Sequence, residues 1–90
     1  MQFMITERFR NRDPLPIYQR LRDKGRQMPD GLSYVSSWIE VNFDRCFQVM
    51  ECDDLALLQQ WIAQWSDLMD FEVVPVRTSA EIRATVEPLL

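Results

Sequence analysis

The hydrophobic and polar positions of this chain fall into short segments of two different periods. Gln2–Phe9, QFMITERF, alternates imperfectly and is rich in residues that suit a pleated surface, which predicts a first strand. NRDPLP breaks that pattern. Asp13 is positioned to cap a helix whose first residue is Pro14, and the helix is expected to run from about Pro14 to Met28. Ile17, Leu21 and Met28 share one side of it, with Gly25 in a slot that suits close packing to a sheet. Arg20 with Lys24, and Arg22 with Arg26, stand at i,i+4 on its polar sides, like-charge pairs that cost a little stability. PDG, Pro29–Gly31, carries turn chemistry and ends the segment.

Leu32–Val41, LSYVSSWIEV, reads as a second strand, NFDR as a tight turn and CFQVME as a third strand, so the two strands form an antiparallel hairpin. Asp53 or Asp54 then caps a second helix, where negative charge meets the positive end of the helix dipole. Its stripe is Leu58, Ile62, Trp65 and Met69, widened by Leu55, Trp61 and Leu68. Asp70–Val76 is a fourth strand, which Pro75 places at an edge or a bulge. Thr78 and Glu81 have capping-box spacing and start a short terminal helix reaching about Glu87. The order βαββαβ plus a helix predicts an α+β, ferredoxin-like domain: an antiparallel four-stranded sheet with two helices on one face.

Ninety residues suffice for one domain, residues 1–90, and not for two. A chain this short has a thin core, yet 47% of it is hydrophobic, including three Trp, two Tyr and five Phe. That excess points to apolar surface buried against a partner. The net charge of −4 disfavours non-specific nucleic-acid binding. Between Arg8 and Arg26 seven basic residues face two acidic ones, a local +5 that leaves −9 on the rest. Such a patch is either a solvated helix face or a contact surface for an anionic ligand or an acidic partner. MQFMITERF lacks the form of a signal peptide, and no apolar stretch approaches the ~20 residues of a membrane span, so a cytoplasmic protein is expected.

The two cysteines carry no obvious chemistry. Six strand steps from Cys46 to Cys52 cover roughly 20 Å, while a disulfide needs Cα atoms within roughly 7 Å. The chain has no His to complete a metal site or to activate a thiol. Both are expected as free structural thiols, with no metal and no cofactor.

Alternation assigns faces. Phe47 and Val49 are expected to face the helices, leaving Cys46, Gln48 and Met50 on the open side. The same open face is assigned Met4, Thr6 and Arg8 from the first strand, Tyr34, Ser36, Trp38 and Glu40 from the second, and Glu72, Val74 and Val76 from the fourth. A homodimer with two such faces packed together would cover this patch and enclose a cavity. Candidate ligand-binding residues there are Arg8, Tyr34, Ser36, Trp38, Gln48 and Glu72. Arg8 suits an anionic or enolate oxygen, Trp38 and Tyr34 a planar ligand, and Glu72 or Glu40 a base if burial raises its pKa. The plainer reading makes Arg8 and Glu72 a cross-strand ion pair and the aromatics interface core.

MITERF, DGLSYVSSWIEVNFDRCFQVMECDD and above all LLQQWIAQWSDLMDFEVVPV, a double-Trp helix running into a V-P-V strand, carry a resemblance over nearly the full length. The chain resembles a family of short bacterial proteins known only as a domain of unknown function. That family looks like part of the dimeric α/β-barrel superfamily, in which two ferredoxin-like domains join their sheets. The superfamily includes cofactor-free monooxygenases, muconolactone isomerases, haem proteins of the chlorite-dismutase type and stress-response proteins. No catalytic residues transfer with the resemblance, and the lack of His removes the usual haem ligand and the commonest general base. Two functions follow. One is a homodimeric regulatory, interaction or ligand-binding module. The other is a cofactor-independent enzyme of monooxygenase or isomerase type, with its pocket on the sheet face at the dimer interface.

Overall fold

A computed structural model describes residues 1–90. Its strands are β1 (Gln2–Phe9), β2 (Ser33–Ile39), β3 (Arg45–Glu51) and β4 (Met69–Val76), and its helices α1 (Leu15–Lys24), α2 (Leu55–Trp65) and α3 (Ser79–Val86). The sheet is antiparallel throughout, in the order β2-β3-β1-β4, the ferredoxin-like arrangement. Pro75 lies on β4, an edge strand, where its missing N–H costs no ladder bond. No helix is long and apolar enough to cross a membrane.

Each helix starts where a side chain satisfies its free N–H groups. Asp13 Oδ1 accepts from the Leu15 N–H at 3.0 Å, and Asp54 Oδ1 from the Ala56 N–H at 2.9 Å. Thr78 and Glu81 form the full capping box. α1 ends four residues before the expected Met28. Gly25 stops it by adopting φ 68°, with its N–H donating to the Leu21 carbonyl, so its role is conformational. A Cβ at Gly25 would meet nothing within 4 Å, which corrects the close-packing expectation. Gly31 is the position where space is short: its φ is 95°, and a Cβ there would sit 2.9 Å from Leu57 Cδ1.

The core lies between α1, α2 and one face of the sheet. Phe3, Ile5 and Phe9 of β1, Cys46 and Met50 of β3 and Met69 of β4 meet Ile17 of α1 and Leu58, Trp61 and Trp65 of α2. Met69 belongs to β4 and Leu55 is exposed, so the α2 stripe is narrower than its periodicity predicts. Trp61 meets Phe71 edge-to-face at 5.4 Å between ring centroids. α3 has no buried residue.

The faces of β3 are the reverse of the expectation. Register pairs Phe3 with Met50, Ile5 with Gln48 and Glu7 with Cys46, which puts Cys46, Gln48 and Met50 on the helix side and Phe47 and Val49 on the open side. β2 shifts register between Tyr34 and Ser36. Tyr34 therefore pairs with Met50 on the helix side, whereas Ser36 and Trp38 lie beyond the shift on the open face. Gln48 and Tyr34 are thus removed from the face assigned to them. Arg8, Ser36, Trp38 and Glu72 remain there.

Candidate functional site

On the helix side of the sheet a half-open cavity of ≈ 110 Å³ lies between α1, α2 and strands β1, β2 and β3, with Met69 at the start of β4. Apolar side chains make most of its wall, among them Phe9, Ile17, Leu21, Trp61, Trp65 and Met69. Two buried polar side chains interrupt that wall. Glu7 is 4% exposed and Gln48 is 3% exposed. Glu7 Oε1 and Gln48 Nε2 have no hydrogen-bond partner. A buried polar atom without a partner costs roughly 1–3 kcal/mol, so two beside one cavity form a site with unmet demand.

Backbone register brings the pair together. Ile5 stands opposite Gln48 and Glu7 opposite Cys46, so Glu7 and Gln48 are diagonal neighbours on adjacent strands with both side chains on the helix side. Burial pushes the Glu7 carboxyl up to about 7, and the Cys46 thiol and the Arg26 charge offset only part of that rise. Burial and the adjacent Glu7 push the Cys46 thiol up to about 12, so it keeps its proton. Cys52 is a buried free thiol at the far end of β3.

Three further polar groups of the wall are engaged, the two indole N–H groups and the Ser37 hydroxyl, while Tyr18 and Arg26 lie at its exposed rim. Trp61 Nε1–H and Trp65 Nε1–H both donate to the Arg26 carbonyl, each at 3.1 Å. These bonds tie the α1–β2 connection to α2. Ser37 Oγ and Tyr34 Oη share a hydrogen bond of 2.7 Å. The Arg26 guanidinium lies 3.7 Å from the centre of the Tyr34 ring, at the exposed rim. No group of three or more His, Cys, Asp or Glu converges as a metal site.

The opposite face carries the remaining sequence candidates. Trp38 pairs across strands with Phe47, Val49 with Met4, and Met4 with Val74, giving an apolar stripe across all four strands. Trp38 is 57% exposed. Charges gather at one end: Arg8 stands opposite both Arg45 and Asp70, Arg45 is paired with Glu40, and Glu72 is opposite Thr6. Arg45 holds the Glu40 carboxyl below the usual range. The expected Arg8–Glu72 ion pair does not form; Arg8 and Glu72 are diagonal neighbours.

Glu7 is absent from the sequence candidates, although a signal for it exists. Phe3, Ile5 and Phe9 alternate as the apolar face of β1, and Glu7 has the same parity. A carboxylate in the core register of a strand marks a buried acid by parity alone.

The sequence profile of the domain of unknown function DUF3303 matches the chain over residues 1–90. No curated protein and no solved structure matches it.

Proposed function

The chain belongs to the DUF3303 family, whose description assigns no reaction, and we propose from the site itself that it is a small-molecule-binding module. The single observation that carries this reading is the pair of unpartnered atoms, Glu7 Oε1 and Gln48 Nε2, beside one apolar cavity. A purely structural core would use aliphatic residues at those two positions, because each orphaned group destabilises the fold. A ligand that is mostly apolar and carries one hydrogen-bonding group satisfies both the wall and the pair. Cavity size limits it further. An apolar cavity of ~150 Å³ admits benzene, so ≈ 110 Å³ suits a five-membered ring or a short branched chain.

The module is a homodimer in this reading, joined through the open sheet face in the manner of a dimeric α/β barrel. Trp38, Phe47, Val49, Met4 and Val74 form the apolar centre of that face, and Arg8, Arg45, Glu40 and Glu72 form a mixed-charge end. Mixed charge at one end suits a two-fold partner, since the same patch presents both signs to its copy. Four strands at ~4.8 Å spacing and ~3.3 Å per residue give a face on the order of 500 Å². Two copies would bury about 1,000 Å² in total, the low end for a specific interface.

Titration with cyclopentanone, and with cyclopentane as the control lacking an oxygen, tests the pocket by amide chemical shifts. Shifts should centre on Glu7, Cys46 and Gln48 and be larger for the ketone. In Gln48→Leu the preference for the ketone should disappear while the fold persists. Equal shifts for the two compounds, or shifts scattered over the surface, would refute the pocket.

A further inference from the structure

The free polar groups around the cavity narrow what its occupant does there, given the binding reading above. Trp61 and Trp65 have spent their N–H groups on the Arg26 carbonyl, and the Ser37 and Tyr34 hydroxyls hold one another. Of the buried side-chain N and O atoms in the wall two remain, one amide donor, Gln48 Nε2, and one carboxyl oxygen, Glu7 Oε1, while the Tyr18 hydroxyl and the Arg26 guanidinium stand at the exposed rim. A donor that binds a carbonyl oxygen, beside a carboxylate within reach of the neighbouring carbon, is the pairing that proton abstraction next to a carbonyl requires. We infer that the cavity is a proton-transfer site for a compact, neutral ketone or enone, with Gln48 holding the carbonyl oxygen and Glu7 moving the proton on the adjacent carbon.

The step balances within the site. The Glu7 carboxylate takes a proton from the carbon beside the carbonyl, so a C–H bond breaks and an O–H bond forms on Glu7. The electron pair of the C–H bond becomes the C=C bond of an enolate, and negative charge moves to the oxygen held by Gln48 Nε2–H. Returning the proton to the same carbon gives exchange. In an enone, returning it two carbons further along moves the double bond into conjugation. No oxidant, reductant or second substrate enters.

The surroundings fit this chemistry. The wall is apolar, so the hydrogen bond to the developing charge is strengthened by the low local dielectric. Cys46, opposite Glu7 on the neighbouring strand, keeps its proton and is therefore not a nucleophile. Burial holds the Glu7 carboxyl at about 7, close to the operating pH, where a base is both available and strong enough. Arg26, at the rim, is the cation that offsets part of this rise.

Proton exchange into cyclopentanone in D2O, followed by NMR, tests the inference. Wild-type protein should exchange the protons beside the carbonyl at least tenfold faster than matched buffer. The rate should rise with pH and level off above about 7. Glu7→Gln should lose roughly 10²-fold or more of the catalysed rate while keeping the pocket shifts, and Gln48→Leu should lose rate with a folded spectrum. With 3-cyclopentenone the same protein should form the conjugated isomer. Pocket shifts without exchange above buffer would overturn proton transfer and leave the binding module standing. Undiminished exchange in Glu7→Gln would overturn it as well. An absence of pocket shifts would remove both readings.

Discussion

The two faces of one sheet invert the usual relation between polarity and burial. The helix side is covered by α1 and α2 and largely apolar, yet it holds Glu7 and Gln48 with unpartnered atoms. The open side is uncovered, yet Trp38, Phe47, Val49, Met4 and Val74 run across it. A face that is apolar and open points outward to another surface, whereas a face that is buried and partly polar points inward to a small occupant. Mean polarity alone ranks the two faces wrongly.

The strongest way to separate the faces is to truncate one tryptophan on each side. Trp65 is 2% exposed and ties α2 to the Arg26 carbonyl, so Trp65→Ala should cost about 3–5 kcal/mol in denaturant unfolding. An unchanged midpoint would mean that α2 is held by something other than this core. Trp38 is the opposite case. Trp38→Glu should leave the stability of the protomer within about 0.5 kcal/mol, but should weaken the proposed dimer by about 2 kcal/mol or more in sedimentation. Wild-type protein that sediments as a monomer at micromolar concentration would refute the sheet-to-sheet dimer.

Glu7 gives a pH-dependent contrast of about 3 kcal/mol. Its folded-state value of about 7 stands above the ordinary 4.5, so the folded protein holds a proton that the unfolded chain releases. The stability tied to that proton is fully present below pH ~4.5, declines as pH rises, and is lost above about 7. At roughly 1.36 kcal/mol per pKa unit the loss is about 3 kcal/mol. The stability of Glu7→Gln should track wild type below pH ~4.5 and exceed it by about that amount at pH 8. Parallel curves across this range would show that Glu7 ionises in the native protein as it does in the unfolded chain.

The smallest effect concerns the helix caps. Asp54→Ala removes the acceptor for the Ala56 N–H and should cost about 1 kcal/mol globally, because α2 belongs to the core. Thr78→Ala breaks the capping box of α3 at a similar local cost. It should speed amide exchange in α3 without moving the global midpoint, since α3 buries no residue.

Much of this architecture is legible from the chain. β1 has the bounds its alternation predicts, Asp54 and the Thr78–Glu81 box start their helices, and Pro75 sits on an edge strand. These features are local, written in neighbouring residues. The misread features are relational. The face of β3 depends on its register with β1, and Phe47 with Val49 looks more like core than Cys46 with Gln48. Tyr34 changes sides because β2 shifts register after it. α1 stops early because one glycine outweighs three helix-compatible residues that follow it. The candidate pair is half visible: Gln48 stands out as a polar residue in mid-strand, while Glu7 looks like an ordinary strand charge unless its parity is counted.

The double hydrogen bond to the Arg26 carbonyl has an optical consequence. It fixes two of the three indoles at the cavity wall on one shared acceptor, while Trp38 stands exposed on the far face of the protomer. Their emission therefore divides by wavelength, blue from the Trp61–Trp65 pair and red from Trp38. A molecule entering the cavity perturbs the blue band, and a surface settling on the sheet shifts the red one. The protein thus carries its own pair of probes, one for each face.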